Sequence, residues 1–225
     1  MSWRCSSTSN EGLVANLRSH SIFTNKRVSE AMLAVDRGDF APIGPYRDEP
    51  QRIGYNATIS APHMHAAALE HLHNHLVAGA KALDVGSGSG YLTACMAKMV
   101  TPDGNVVGIE HIPELVDLSV KNIRKHHQGL LDSGNIVMIE GDGREGFAER
   151  GPYNAIHVGA AAKGLPKALI DQLAEGGRMM IPVERATGDQ VFMQIDKING
   201  EIHKTDVSGV IYVPLTSREQ QWRGH

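Results

Sequence analysis

From Lys81 onward, short apolar runs alternate with stretches of helical period. The runs 82–85, 106–110, 136–140, 155–158 and 178–183 are strand candidates, and 91–100, 113–127 and 166–173 between them predict helices. Apolar strands alternating with amphipathic helices imply parallel βαβ units, in a sheet covered on both faces. The tail breaks this rhythm: 190–195 and 202–207 flank Asn199-Gly200, a two-residue hairpin signal, and 210–214 offers one more strand. Upstream, 10–19 and 25–35 read as short amphipathic helices, the second with Val28, Met32 and Val35 at helical spacing. Residues 40–60 lack periodicity and carry Pro42, Gly44, Pro45, Pro50 and Gly54, which suggests an ordered surface loop. Pro62 suits the first turn of a helix reaching about residue 78, with Ser60 near its N-cap. The expected fold is therefore α/β: a doubly wound, mostly parallel sheet with N-terminal helices and antiparallel C-terminal strands. One domain spans 1–225, divided into helices and a loop (1–80), a βαβ core (81–185) and terminal strands (186–225).

Length and composition agree with one globular domain of 225 residues, 41% hydrophobic and 21% charged. Lys and Arg total 22 against 25 Asp and Glu, a net charge of -3 that disfavours a nucleic-acid partner. No apolar run approaches the ~20 residues needed to cross a bilayer, so no membrane partner is expected. The first residues, Met1 to Ser7, show no apolar leader, and Cys5 and Cys95 are too few and too distant for a disulfide framework. The expectation is an intracellular, cytoplasmic chain, and a monomer.

Leu83-Asp84-Val85-Gly86-Ser87-Gly88-Ser89-Gly90 joins a predicted strand to a predicted helix. Glycines there give the turn and let the backbone approach a ligand. A dinucleotide fingerprint needs a glycine at the sixth position of its run. That position is Tyr91 counted from Gly86 and Thr93 counted from Gly88, so neither register fits. Asp84, two residues before the first glycine, can instead meet a cationic ligand directly or through water. Glu110 ends the second strand, where an acidic side chain can accept from both hydroxyls of a ribose. Asp142 ends the third, beside a crevice where an adenine amino group can find an acceptor.

The glycine turn with Glu110 and Asp142 resembles the S-adenosylmethionine site of class I methyltransferases. The segment Gln51-Arg52-Ile53-Gly54-Tyr55-Asn56-Ala57-Thr58-Ile59-Ser60-Ala61-Pro62-His63-Met64-His65 resembles, more specifically, the protein-L-isoaspartate (D-aspartate) O-methyltransferase family, and above all its animal cytosolic members. Gly141-Asp142-Gly143-Arg144, residues 153–162 and 209–216 support the likeness, which covers essentially the whole chain. Departures are small: Tyr55 and Asn56 stand where relatives often carry Phe and Gln, and Glu110 where some have Asp.

The resemblance implies a Rossmann-like class I methyltransferase fold and a repair reaction. A methyl group passes from S-adenosyl-L-methionine to the free α-carboxyl of L-isoaspartyl residues, more weakly of D-aspartyl residues, in damaged proteins and peptides. The ester then collapses to a succinimide, whose hydrolysis restores some normal linkage, and S-adenosyl-L-homocysteine remains as product. By the same likeness Ser60 is the active-site hydroxyl, supported by Thr58. Ala57, Thr58, Ile59, Ser60, His65, Asp84, Gly86, Ser87, Gly88, Ser89, Glu110, His111, Asp142, Gly143, Thr216 and Gln221 border the cofactor. Ile53, Gly54, Ser60 and Val213 are the expected substrate contacts, the stretch 211–214 offering backbone groups to an extended peptide.

The residue chemistry is compatible with that role. A carboxylate of pKa ~4 is already ionised near neutral pH, so no base is needed to create the nucleophile. What remains is placement, which short hydroxyls at Ser60 and Thr58 suit. Ser60 is equally readable as a helix cap, and both roles can coexist. Among 12 histidines, His71 and His75 share a helical spacing, but no third ligand is placed beside them. No metal is expected, and they read as a solvated helix face, as do Lys121, Arg124 and Lys125. Rival readings are a methyltransferase for a small carboxylic acid or RNA, and a non-catalytic nucleotide-binding module. The module would have no use for Thr58-Ile59-Ser60 near the crevice.

Overall fold

The computed structural model describes residues 5–222; Met1 to Arg4, within the segment inspected for a leader, and residues 223–225 lie outside it. Helices α1 (Asn10–Ser19), α2 (Lys26–Ala34) and α3 (Pro62–Leu72) precede the sheet, with the hairpin β1 (Gln51–Gly54) and β2 (Ala57–Ile59) between α2 and α3. The sheet then runs β3 (Lys81–Val85), β4 (Asn105–Glu110), β5 (Ile136–Glu140), β6 (Tyr153–Val158), β7 (Leu173–Glu184), β8 (Gln190–Ile198) and β9 (Glu201–Val210). Helices α4 (Tyr91–Val100), α5 (Pro113–Asp132) and α6 (Lys167–Gln172) connect its parallel part, and α7 (Arg218–Gln221) closes the described chain. Strand order is β5-β4-β3-β6-β7-β8-β9. The first five are parallel, and β8 and β9 pair antiparallel.

Alternation along each strand feeds two cores. Leu83, Val85, Val107, Ile109, Met179 and Ile181 pack on one face, with Leu169 and Leu173. Ala82, Val106 and Met180 face the other, against Leu69, Leu72, Met96 and the N-terminal helices. Burial on both faces is why these strands read as continuous apolar runs. Among the described residues no helix is long and apolar enough to cross a membrane.

The structure corrects the sequence reading in three places. The expected loop 40–60 contains the β1–β2 hairpin, whose turn holds Tyr55 and Asn56 at φ 52° and 55°. Those values are usual for the turn of a two-residue hairpin, but Tyr-Asn lacks the glycine that advertises it. Helix α3 stops at Leu72 rather than near 78. The Arg27 guanidinium there donates to the carbonyls of His73 (3.1 Å) and Leu76, supplying external partners past the helix end. His75 therefore lies beyond the helix, half-buried, and burial pushes its pKa down, so it is not part of a solvated helix face. Finally, 210–214 is not a further strand: β9 ends at Val210 and only Pro214 makes an isolated bridge, to Ala161. Tyr212 spends its backbone N–H (2.6 Å) and carbonyl (3.1 Å) on the Gln190 side-chain amide instead of a strand neighbour. Lys121, Arg124 and Lys125 are exposed on α5, as expected.

Candidate active site

The connections leaving β3 and β6 run in opposite directions across the sheet, so a crevice opens at the carboxyl ends of these two strands. The turn after β3 bends sharply: Gly86, Gly88 and Gly90 take φ of 72°, 50° and 85°. The Gly86 and Ser87 N–H groups both donate to the Ile109 carbonyl (2.9 and 3.1 Å), tying the turn to β4. A Cβ on Gly86 would meet no protein atom within 4 Å, whereas one on Gly88 would lie 3.2 Å from the Ile53 side chain. One glycine thus leaves open space in the crevice while the other lets the hairpin close over the turn. Across the crevice a Cβ on Gly143 would fall 2.5 Å from Val85, so only glycine lets the chain after β5 come this near.

The acidic groups are held in different ways. Glu110, 6% exposed, accepts from His111 N–H (2.8 Å) and Ile112 N–H (3.2 Å) on one oxygen and Gly88 N–H (3.2 Å) on the other. Asp142 is chelated by the Arg144 guanidinium through Nε (2.9 Å) and Nη2 (2.6 Å), which holds its carboxyl below the usual carboxylate range. Asp84 lines the crevice floor but is buried, with one oxygen bonded by Thr93 Oγ1 (2.6 Å) and the other by His157 Nδ1 (2.8 Å). His157 is its register partner on β6. A histidine inside an apolar strand opposite an aspartate was the available clue, but that pairing is visible only once strand order is known. Arg37 carried no such clue. It is fully buried, with Nη2 donating to the Ser60 carbonyl (2.7 Å), Nη1 3.2 Å from His65 Nδ1, and its carbon centre 5.2 Å from the Tyr91 ring centroid.

Thr58, Ile59, Ser60, His65, Asp84, Gly86, Ser87, Gly88 and Ser89 line one small pocket together with His157. Ser60 does not cap α3: Ala61 takes the cap position without a side-chain bond, and Pro62 opens the helix. Its hydroxyl lies instead beside the phenol of Tyr212, whose pKa burial pushes well up. Ala57, Glu110, His111, Gly143, Val213, Thr216 and Gln221 line the adjoining pocket. Gln221 fastens the C-terminal end there: Oε1 lies 3.0 Å from His111 Nε2, Nε2 donates to the Tyr55 carbonyl (3.2 Å), and its own carbonyl accepts from Asn56 (2.8 Å). A larger cleft, about 1070 Å³, continues outward past Val213, Thr216 and Gln221 toward Arg144 and Lys163. Every expected cofactor-side residue except Asp142 lines the two small pockets, and Asp142 sits beside Gly143 at their rim. Of the expected substrate contacts, Ile53 packs over Gly88, Gly54 follows it in β1, and the Val213 carbonyl is already taken by Ala161 N–H (2.8 Å). Among the described residues no group of three or more His, Cys, Asp or Glu side chains is placed to hold a metal ion. Burial pushes the Cys95 thiol up to about 12 and makes it a poor nucleophile.

Comparison with known proteins agrees with this geometry. The family model for protein-L-isoaspartate (D-aspartate) O-methyltransferase matches residues 8–220. A Caenorhabditis elegans protein-L-isoaspartate O-methyltransferase is 71% identical over 222 residues, covering 99% of each chain. An Arabidopsis thaliana protein-L-isoaspartate O-methyltransferase 1 is 52% identical, covering 96% of this chain and 94% of its own. A Plasmodium falciparum chain assigned as a protein-L-isoaspartate O-methyltransferase, crystallised with S-adenosyl-L-homocysteine, superposes with a TM-score of 0.88 at 41% identity, covering 93% and 99% of the two chains. A match through both the sheet core and the Thr58-Ile59-Ser60 hairpin, at this identity and coverage, means that the chain belongs to the protein-L-isoaspartate (D-aspartate) O-methyltransferase family.

Proposed function

We propose that this protein methylates the free α-carboxyl of L-isoaspartyl residues, and less efficiently of D-aspartyl residues, in damaged proteins and peptides, with S-adenosyl-L-methionine as donor. The observation that carries the reading is the pocket in which Ser60 and Thr58, from the hairpin, meet Asp84 and the glycine turn, from the sheet. The residues present fit the donor: Gly86 leaves a cradle that a Cβ would fill, and the buried His157 Nε2 has no partner in the protein. Bound S-adenosylmethionine supplies a sulfonium methyl that an ionised carboxylate can attack without a catalytic base. Glu110 would hold the ribose, Asp142 and Gly143 would border the adenine, and Thr216, Gln221 and His111 would shut the outer side. Ser60, with Tyr212 behind it, holds the substrate carboxylate, while Ile53, Gly54 and Val213 border the peptide. Since the Val213 carbonyl is engaged, its N–H is the backbone group of that residue left for the peptide. Our reading of the chain as a cytosolic monomer is supported by its resemblance to the animal cytosolic enzymes.

The test is methylation of matched isoaspartyl and aspartyl peptides of identical composition. Isoaspartyl peptides of many sequences become methylated and their aspartyl twins are essentially ignored; equal labelling of both would end the repair reading.

The pH profile is a second expectation. Burial, then the charge of Arg37, keep the pKa of His65 well below its ordinary value, so this ring stays neutral through the neutral range. The substrate carboxylate protonates only near pH ~4. Hence kcat/KM should stay flat from roughly pH 6 to 8 and fall on the acid side, as the nucleophile is lost. A rising limb within that range, abolished by His63→Gln or His65→Gln, would reveal a proton transfer that this mechanism lacks.

A further inference from the structure

Two buried charged side chains at the small pocket, Arg37 and Asp84, each fix the hydrogen-bonding role of an imidazole that lines it. Arg37 Nη1 lies 3.2 Å from His65 Nδ1. A guanidinium only donates, so Nδ1 must present a lone pair and the proton of the neutral ring sits on Nε2. His65 is thereby a donor backed by a cation. Among the described residues Arg37 forms no ion pair with a carboxylate, and its Nε is buried without a partner. On β6 the polarity is reversed. Asp84 accepts from His157 Nδ1 at 2.8 Å, so Nδ1 carries the proton and, in the neutral ring, Nε2 carries the lone pair. His157 is 4% exposed and lines the pocket, and its Nε2 is buried with no partner. An orphaned acceptor of this kind is costly unless a ligand completes it.

One pocket therefore holds a donor backed by a positive charge and an acceptor backed by a negative one. That is the complement of an α-amino-acid zwitterion, whose carboxylate only accepts and whose ammonium only donates. We propose that the amino-acid end of S-adenosylmethionine is held by two imidazoles, with Arg37 a positioning residue behind one and His157 a direct ligand: His65 Nε2–H, set by Arg37, takes its carboxylate, and His157 Nε2, set by Asp84, accepts from its ammonium. The inference rests on the cofactor assignment made under Proposed function. The arrangement gives Asp84 a structural reason: it acts through His157 as well as by its own charge.

Calorimetric titration of the full chain tests this with S-adenosyl-L-homocysteine, its analogue lacking the amino group and its analogue lacking the carboxylate. Wild type should bind each analogue at least ~10-fold more weakly than the parent, the size of one charge-assisted hydrogen bond. His157→Leu should lose the preference for the amino group and keep that for the carboxylate. Arg37→Met should show the reverse, with partial recovery in Arg37→Lys. Equal weakening toward all three ligands, or wild-type discrimination in His157→Leu, overturns the proposal. So does an Arg37→Met effect confined to the KM of the peptide, which would assign His65 to the substrate carboxylate. Both variants alter buried positions, so nitrogen-15 NMR of the wild-type imidazoles gives an independent reading. The lone pairs must lie on His65 Nδ1 and His157 Nε2, and the latter resonance must move when S-adenosyl-L-homocysteine binds; the opposite tautomer at either ring overturns the proposal. Wild type that binds S-adenosyl-L-homocysteine but leaves isoaspartyl peptides untouched would refute the substrate reading and leave this assignment standing.

Discussion

Ser60→Ala is expected to lower kcat on isoaspartyl peptides by about 10–1000-fold, with S-adenosyl-L-homocysteine affinity nearly intact. The range is set by what a positioning hydroxyl can contribute when the nucleophile is already ionised. The structure sharpens the expectation by removing the competing role of this residue. Helix α3 begins after Ala61, with Pro62 in its first turn and no side-chain cap, so no cap is lost. The backbone carbonyl of Ser60, which receives Arg37, is unchanged in the variant. Melting temperature should therefore hardly move. The Tyr212 phenol loses its neighbouring hydroxyl, so Tyr212→Phe should reproduce part of the effect and add little to Ser60→Ala in the double variant. Full activity in Ser60→Ala, with peptide KM also unchanged, would remove the hydroxyl from the mechanism.

Much of this site was legible because its parts lie close together in sequence. Asp84 and the three glycines form one contiguous turn, and Glu110 and Asp142 each end an apolar run, so strand ends could be located from periodicity alone. The Asn199-Gly200 hairpin was legible for the same local reason, with both residues at positive φ. What escaped notice depends on tertiary neighbours. His157 reads as one polar residue in an apolar strand until β6 is placed beside β3 and its ring is found against Asp84. Arg37 follows a short helix and looks like any surface arginine, yet the hairpin and α3 bury it under Ser60 and His65. The hairpin itself was hidden by a turn in which Tyr55 and Asn56 do what glycine usually does. Those same residues hold Gln221, and the Tyr55 ring meets Trp222 edge-on at 5.4 Å, which gives the departures from the family pattern a mechanical role at the C-terminal end.

Glu110→Ala is expected to weaken S-adenosyl-L-homocysteine binding by about 10–150-fold, the equivalent of ~1.5–3 kcal/mol for hydrogen bonds to a charged acceptor. The carboxylate has two duties in the structure. Toward the protein it accepts three backbone N–H groups, from Gly88, His111 and Ile112. Toward the crevice it offers the remaining acceptor site, on the oxygen that Gly88 shares, which a ribose hydroxyl can fill. Alanine removes both, so the variant should also lose stability, by roughly 1–3 kcal/mol for donors left without an acceptor in a buried place. Glutamine is not a gentle replacement here. One oxygen becomes an NH₂ group, which turns a donor toward either Gly88 N–H or the His111 and Ile112 pair, and offers the ribose fewer acceptors. Glu110→Gln should therefore resemble alanine in affinity more than it resembles wild type. Glu110→Asp keeps the charge but stops one methylene short of Gly88, and should fall between them. Because Ser60 and the peptide contacts are untouched, the KM for an isoaspartyl peptide at saturating donor should change little in all three. Calorimetry with thermal denaturation on the same samples separates the two duties: a folded Glu110→Ala that binds S-adenosyl-L-homocysteine as tightly as wild type would take the ribose away from this carboxylate and leave it only the backbone it clamps.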